Sequence, residues 1–278
     1  MIGFVTDSAS QIPATLAADL DVAVVPVLVT IDGVDHREGV DLTADEFWHR
    51  LGGAAVPEVA TSQPSPGEIA AVYADLVAHG ATEIVSVHVG ADLSGTVNAA
   101  RLAAEQAGVA VHVVDSGTAS FGVTACLWEA VLAARRGADA ATAAATAAEI
   151  APRIGTSFIL QGLDFARSGG RFDLLLPDEA DDVIVLAGHG TALDVVGAGR
   201  DLDTLCDQIV APFLAEGRPM RAGVGLADDA TLPITERIEA RLRESELVVD
   251  LVRYRVGPSI AAHTGPGTAG GFWWPADD

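Results

Sequence analysis

Lysine is absent from this sequence of 278 residues, in which all 16 basic residues are arginine. The absence excludes Schiff-base and pyridoxal-phosphate chemistry, because both need an amine nucleophile. It also excludes a standard Walker A loop, whose lysine reaches the nucleotide phosphates. The chain therefore lacks the side chain on which two large classes of enzyme depend.

Cysteine and long apolar runs are scarce as well. Cys126 and Cys206 lie far apart in hydrophobic surroundings, and the 7 histidines are scattered without metal spacing. The thiols are typical of core residues, and nothing indicates an oxidising compartment or a metal site. No continuous apolar run reaches the roughly 18 residues of a membrane span, and the first residues lack the basic region of a signal peptide. We therefore expect a cytoplasmic protein with no membrane span.

Positive charge is in short supply, since 39 acidic residues outnumber the 16 arginines and give a formal net charge of −23. Such a charge disfavours binding to nucleic acid and to anionic membrane surfaces. Half of the residues (50%) are hydrophobic, so the chain can bury a sizeable core. Its length allows one large domain or two ordinary ones.

The first half alternates short apolar, β-rich runs with helical stretches. The strand candidates are Ile2–Thr6, Val22–Thr30, Ile84–Val89 and Val111–Asp115. The helix candidates are Pro13–Asp19, Ala44–Leu51, Pro66–Ala78, Thr96–Ala107, Ala119–Arg136 and Ala138–Ile150. Continuous Val/Ile runs indicate strands buried on both faces of a parallel sheet. The pattern predicts an α/β domain over residues 1–151, with a boundary near Pro152.

Beyond Pro152 the strands follow one another more closely. The strand candidates there are Thr156–Gln161, Val183–Leu186, Leu193–Val196, Arg221–Leu226, Leu247–Val256 and Ser259–Ala262. The helix candidates are Leu202–Ala215 and Leu232–Arg243. We expect a second, α+β domain with a mixed sheet over residues 152–278.

Two polar stretches follow predicted strands of the first domain. Thr6, Asp7 and Ser8 end the first strand, where the ligand crevice of an open parallel sheet lies, although Asp and Ser also favour helix N-caps. Ser94 and Gly95 open the helix that follows the strand Ile84–Val89. Free N–H groups at a helix start favour an anion, but simple capping by Ser94 explains this stretch equally well.

A third stretch, residues 61–68, reads TSQPSPGE. Ser65, Pro66 and Glu68 fit an N-cap, a first helical position and a capping box. Capping leaves Thr61, Ser62 and Gln63 unexplained, and three neutral polar residues held by prolines favour a ligand-binding loop.

The fourth stretch, residues 263–267, reads HTGPG. His263 and Thr264 form a donor pair on a glycine-rich turn, which an anion could use. The formal GxGxxG match over residues 265–270 carries no weight, because no βαβ unit can follow it. The sequence holds neither a GxSxG elbow nor an HExxH motif. These residues are typical of a site that holds an anion rather than one that transforms it.

Together these pieces resemble the DegV family, the fatty-acid-binding subunits of bacterial fatty acid kinase. The matching stretches run through nearly the whole chain in the family's order and are residues 6–8 (TDS), 61–67 (TSQPSPG), 93–96 (LSGT), 114–116 (VDS), 163–171 (LDFARSGGR) and 263–267 (HTGPG). The combination of TSQPSPG, LSGT and HTGPG is the specific part of the resemblance.

The resemblance implies the two-domain DegV-like fold, also called the EDD fold. It comprises an N-terminal parallel sheet flanked by helices and a C-terminal mixed-sheet domain, with a long-chain fatty acid buried between the two. No other cofactor is implied, and the family protein performs no chemistry alone. It presents the acyl carboxylate to a separate, ATP-binding kinase subunit.

The site residues follow from the same resemblance. It implies that Thr61 and Ser94 hold the carboxylate and that His263 lies at the carboxylate end. The resemblance also implies a supporting role, rather than a direct contact, for Arg171. Three neighbours of these residues complete the expected ligand site, namely Ser62, Gly95 and Thr264.

One departure concerns the kinase partner. Family members usually carry a basic stretch after the GGR segment, which helps them engage the kinase subunit. Here Phe172–Asp203 contains eight acidic residues and one arginine, Arg200, whose equivalence to the basic stretch stays open. The alternative is a stand-alone lipid-binding or sensing protein without a kinase partner.

Overall fold

The computed structural model describes residues 1–53, 57–161 and 183–276. By its contacts the chain divides into two compact units. The first comprises Met1–Leu42 and Glu58–Pro152, and the second comprises Thr43–Pro57 and Arg153–Asp278. The sequence pattern placed one boundary after residue 151 and assigned everything before it to the first domain.

The elements are numbered in chain order. The strands are β1 (Ile2–Asp7), β2 (Val22–Val25), β3 (Leu28–Ile31), β4 (Val34–Arg37), β5 (Val59–Ser62), β6 (Glu83–His88), β7 (Ala110–Asp115), β8 (Gly155–Leu160), β9 (Val183–His189), β10 (Ala192–Gly199), β11 (Met220–Leu226), β12 (Val248–Arg255) and β13 (Ala269–Pro275). The α-helices are α1 (Ala14–Leu20), α2 (Ala44–Leu51), α3 (Pro66–Ala78), α4 (Thr96–Ala104), α5 (Phe121–Arg135), α6 (Ala140–Ile150), α7 (Leu202–Ala215), α8 (Leu232–Arg243) and α9 (Pro258–Thr264).

The first unit is built on a parallel sheet of four strands in the order β2-β1-β6-β7. Side chains of one sheet face, including Val5 and Ile84, pack with Ile69 and Tyr73 of α3 and with Ala100 of α4. Burial of these apolar groups stabilises the layer by about 25 cal/mol per Å². The predicted α/β architecture with a parallel sheet is therefore confirmed.

A second, smaller sheet in this unit corrects one prediction. The run Val22–Thr30 is not one strand, because β2 belongs to the parallel sheet and β3 to an antiparallel sheet in the order β4-β3-β5. Pro26 lies between β2 and β3. Since proline has no N–H to donate to a ladder, the chain changes sheets there.

The second unit contains a mixed sheet of six strands in the order β10-β9-β8-β13-β11-β12. Only the pair of β11 and β12 is parallel among these strands. Phe213 of α7 and Ile238 of α8 pack with Trp273 of β13 in its core. The predicted mixed sheet is confirmed.

Two predictions near the C-terminus are wrong or incomplete. Ser259–Ala262 is helical, within α9, because Pro258 occupies a first-turn position that suits proline. The sequence pattern did not predict β13, which pairs with both β8 and β11. Glycine is generally unfavourable in strands, so the glycines at positions 270 and 271 argued against a strand in this part of the sequence.

Helix α2 explains the discontinuity of the second unit. The Trp48 indole Nε1 donates a hydrogen bond to the Val256 carbonyl oxygen at 2.8 Å, and Arg255 forms an ion pair with Asp45. These contacts join the segment around α2 to the end of β12. Across the described ranges, no helix has both the length and the apolar character needed to cross a bilayer.

Candidate functional site

The ends of three parallel strands lie at one edge of the first unit. Asp7 ends β1, His88 ends β6 and Asp115 ends β7. In open parallel sheets, ligands bind outside the carboxyl ends of the strands. The polar stretch with Ser94 follows β6 and therefore starts from this edge.

Ser94 does not cap the helix that follows it. Helix α4 begins at Thr96, its N-cap residue is Gly95, and no side chain caps it. The Ser94 hydroxyl oxygen lies 2.9 Å from Thr96 Oγ1, and 3.4 Å from the Thr96 backbone nitrogen. Ser94 therefore lies one residue before the N-cap position, where its half-buried hydroxyl accepts a long hydrogen bond from the Thr96 nitrogen and retains further bonding capacity.

The TSQ stretch and the LSGT stretch adjoin each other. Thr61 and Ser62 are the last two residues of β5 rather than loop residues, and Gln63 follows them. A Cβ atom on Gly95 would lie 1.9 Å from Gln63 Oε1, so the Gln63 amide rests against the Gly95 backbone. The structure thus brings these two predicted stretches together within the first unit.

Ser65 and Glu68 have the predicted capping function. Ser65 is the N-cap of α3, its hydroxyl accepts from the Glu68 nitrogen, and the Glu68 carboxylate accepts from the Ser65 nitrogen. Hydrogen bonds from the Ser65 hydroxyl and backbone lower the pKa of the Glu68 carboxyl group. Both side chains therefore serve the start of this helix.

A buried chain of four polar side chains runs beneath this edge of the sheet. The Tyr73 hydroxyl donates to Ser86 Oγ at 2.9 Å, and Ser86 Oγ lies 2.7 Å from His88 Nε2. On the other side of the ring, His88 Nδ1 lies 2.9 Å from Asp7 Oδ2. All four residues have 0% solvent exposure. The sequence analysis missed this chain, because no local motif links a tyrosine on α3, two residues of β6 and the end of β1.

The order of acid, histidine and serine in this chain is that of a hydrolytic triad. A triad serine must reach a substrate carbonyl group, whereas Ser86 is completely buried and already accepts from Tyr73. Burial raises the pKa of the Tyr73 hydroxyl to about 12, against a weaker opposing effect of its hydrogen bond to Ser86. The geometry is therefore that of a buried polar network inside the first unit.

Asp7 has a further structural role. Its Oδ1 accepts from the Ala9 nitrogen at 3.0 Å and caps the short 3₁₀ turn Ser8–Ser10. The N-cap position of α1 is occupied by Pro13, so the capping role considered for Asp7 is real but belongs to the turn before α1.

The remaining predicted site residues do not belong to the first unit. His263 and Thr264 belong to the second unit and are the last two residues of α9, not turn residues. Thr264 is buried, and its hydroxyl lies 3.4 Å from the Ile260 carbonyl oxygen of the same helix. Arg171 lies outside the described residues. Within the described part of the chain, no group of three or more His, Cys, Asp or Glu side chains could hold a metal ion.

The similarity to known proteins extends over nearly the whole chain. The family model described as "Uncharacterised protein, DegV family" matches residues 1–276. A DegV domain-containing protein of Deinococcus radiodurans is 33% identical over 276 residues, which cover 97% of this chain and 96% of the relative. A DegV domain-containing protein of Streptomyces coelicolor is 29% identical over 97% of this chain and 96% of its own length.

Solved structures give the same result. A DegV family protein from Thermus thermophilus, described by its fatty acid binding, superposes with a TM-score of 0.85 at 31% identity and covers 99% of both chains. DegV from Bacillus subtilis, described as a fatty acid binding protein, has a TM-score of 0.86 at 21% identity over 98% of both chains, which shows the shared fold. With the match of the family model over almost every residue, these findings lead to one conclusion: the chain belongs to the DegV family.

Proposed function

We propose that this protein binds a long-chain fatty acid and has no catalytic activity of its own. The observation that carries the proposal is the likeness, over 99% of the chain, to a Thermus thermophilus protein described by its fatty acid binding. Two features of the first unit support it. The TSQ and LSGT stretches adjoin through Gln63 and Gly95, and Ser94 is not used as a helix cap.

The carboxylate of the ligand is held by the hydroxyl groups of Thr61 and Ser94 in this proposal. A carboxylate removed from water needs several hydrogen bonds or a charge partner, and neutral hydroxyls can supply the bonds without lysine. Ser62 and the Gly95 backbone lie next to these two residues in the chain and add polar groups. Contributions from His263, Thr264 and Arg171 are proposed on the family resemblance alone.

The hydrocarbon tail supplies most of the binding energy. Each buried methylene contributes roughly 0.8 kcal/mol, so about fourteen give on the order of 11 kcal/mol before costs. Association costs about 4–15 kcal/mol, which the tail offsets only if it is largely buried. The tail therefore determines most of the affinity, and the hydroxyl groups mainly fix the orientation of the ligand.

The test compares two serines that each precede a helix. Ser94→Ala should weaken fatty-acid binding by roughly 1–3 kcal/mol, because the buried carboxylate loses one of its donors. Ser65→Ala is the matched control. It removes the N-cap of α3, so it should cost about 1 kcal/mol of stability and leave affinity unchanged. Unchanged affinity in Ser94→Ala would remove Ser94 from the site.

We further propose that the bound carboxylate is presented to an ATP-binding kinase subunit, as the family resemblance implies. Of the eight acidic residues in Phe172–Asp203, Asp194, Asp201 and Asp203 are described. Asp201 caps α7, and Asp203 forms an ion pair with Arg237 at 3.1 Å. Two of these carboxylates thus have partners within the second unit. Their partners reduce the repulsion between this region and an acidic kinase surface that the sequence suggests.

The alternative is a stand-alone lipid-binding protein, which the acidic composition of this region favours. The distinguishing measurement is acyl-phosphate formation from ATP by lipid-loaded protein and a kinase subunit. A kinase whose usual carrier has the basic stretch should give little product, because like charges across an interface disfavour docking. A cognate kinase with a more basic docking surface should give product. No product with any kinase would favour the stand-alone protein.

A further inference from the structure

Two aspartates that the proposed site does not use flank the strand leading to Ser94. Asp7 ends β1 and Asp115 ends β7, and the sheet order β2-β1-β6-β7 places β6 between them. All three strands are parallel, so their carboxyl ends meet at one edge. Each carboxylate therefore lies beside the chain that leaves β6.

Asp7 holds the first residue after β6. Its Oδ2 accepts a hydrogen bond from the Val89 backbone nitrogen at 3.2 Å and lies 2.9 Å from His88 Nδ1. Its Oδ1 accepts from the Ala9 nitrogen. Both carboxylate oxygens are thus used, and the buried group ties the chain after β1 to the chain after β6.

Asp115 holds the same segment from the opposite side. Its Oδ1 accepts from the Ala91 backbone nitrogen at 3.1 Å and from the Gly117 backbone nitrogen at 3.0 Å. Both bonds end on one oxygen, and the residue is exposed. Asp115 therefore needs only one acceptor atom for this role.

The turn that carries Ser94 is built on the residue between these two contacts. The Gly90 nitrogen donates to the Thr118 carbonyl at 2.8 Å, and the nitrogens of Leu93 and Ser94 both donate to the Gly90 carbonyl, at 2.9 and 3.1 Å. A shift of Gly90 must therefore move Ser94. Its neighbours on either side, Val89 and Ala91, are the residues bonded to the two aspartates.

We propose that Asp7 and Asp115 are positioning residues, which hold residues 89–91 from both sides and thereby set the place of the Ser94 hydroxyl for the ligand carboxylate. The inference rests on the proposed fatty-acid site. We call the bonds from residues 89–91 to Asp7 and Asp115 the clamp. The clamp is a property of the unliganded protein, so it can be tested even if the ligand is a different one.

The same substitution should have opposite results at the two positions. Asp115→Asn keeps an amide oxygen for the Ala91 and Gly117 nitrogens and should resemble the wild type, whereas Asp115→Ala removes the acceptor. Asp7→Asn replaces one of the two carboxylate oxygens with an NH₂ group, which donates hydrogen bonds and does not accept them. The variant therefore loses the bond from either the Val89 nitrogen or the Ala9 nitrogen. We expect Asp7→Asn and Asp115→Ala to weaken palmitate binding at least about tenfold, a factor equal to 1.4 kcal/mol.

His88 provides a second pair of variants in case Asp7→Asn fails to fold. The amide nitrogen of asparagine lies near the position of Nδ1 in a histidine, and that of glutamine lies near Nε2. His88→Asn should therefore preserve the contact with Asp7, while His88→Gln should preserve only the contact with Ser86. His88 Nδ1 contacts the same Asp7 oxygen that accepts from the Val89 nitrogen, so loss of this contact should loosen the clamp. We therefore expect His88→Gln to bind palmitate more weakly than His88→Asn, with similar melting temperatures for the two variants.

Residue-resolved amide hydrogen exchange is the readout that does not depend on the ligand. Exchange at Ala91, Leu93 and Ser94 should accelerate in Asp115→Ala and in His88→Gln but not in Asp115→Asn. Faster exchange with unchanged palmitate affinity would overturn the positioning role, and unchanged exchange would overturn the clamp. If the wild type binds no palmitate while the exchange pattern holds, the proposed function fails and the clamp stands.

Discussion

At the scale of single residues, the contact of Gln63 with Gly95 gives the sharpest prediction about the site. A methyl group on Gly95 would meet Gln63 Oε1 at 1.9 Å, and the flexible side chain can move aside. Gly95→Ala should therefore change stability little but displace the Gln63 amide and reduce fatty-acid affinity several-fold. Titration with a fluorescent fatty acid measures the affinity, and thermal melting measures the stability.

Gly67→Ala is the control for this change. Gly67 lies in the first turn of α3, and its nearest neighbour atom would be 3.9 Å from the new Cβ. We expect unchanged affinity and a gain of roughly 0.5–1 kcal/mol, as alanine usually gives over glycine in helices. Equal affinities of Gly95→Ala and Gly67→Ala would show that the Gln63 position does not matter for the ligand.

Tyr73 predicts a specific loss of stability at high pH. Its pKa is raised from 10.0 to about 12 in the folded protein, mainly by burial. A raised pKa means that the neutral hydroxyl contributes stability in full below pH 10, and this contribution is lost as the pH rises from 10 towards 12. Urea unfolding between pH 9 and 11 should therefore show a steeper loss for the wild type than for Tyr73→Phe. Parallel curves would contradict the buried state of this hydroxyl.

At the scale of elements, the sequence predicted the helices better than the last strands. The bounds of α2, α3, α7 and α8 match their predictions, because capping residues such as Ser65 and Asp201 mark where helices begin. The missed strand β13 contains no such local signal. Its place between β8 and β11 depends on pairing partners far away in the sequence.

The candidate site shows the same division. The LSGT and TSQ stretches are local patterns, so Ser94 and Thr61 could be proposed from the sequence. The chain from Tyr73 to Asp7 could not, because it depends on the register of β1 with β6 and on the packing of α3 against them. Long-range register is set by many weak contacts that no short motif records.

The central strand β13 leads to a prediction about its neighbour β8. A Cβ atom on Gly155 would lie 2.2 Å from the ring of Trp273, which is buried in the core. Gly155→Ala should therefore destabilise the second unit by about 1–3 kcal/mol, the usual cost of overpacking. Chemical denaturation followed by tryptophan fluorescence measures this change. Gly52→Ala, whose new Cβ would be at an ordinary 3.4 Å from the Trp48 carbonyl oxygen, is the control.

At the scale of the whole molecule, the net charge of −23 should slow the approach of an anionic ligand. Repulsion between exposed charges is screened by salt, with a Debye length of about 10 Å at 0.1 M. We expect the association rate of a soluble fatty acid anion to rise with ionic strength, in stopped-flow measurements below the critical micelle concentration. A rate that falls with salt would indicate a locally positive entrance to the site.

Fatty-acid binding itself is tested most directly by native mass spectrometry of the protein purified from bacteria. We predict a mass excess equal to one long-chain fatty acid, which organic extraction should release and identify. The −23 charge affects the rate of approach but not the burial of the tail, so the excess should persist at high salt. A clean unliganded mass, together with no uptake from added fatty acids of several chain lengths, would contradict the proposed function.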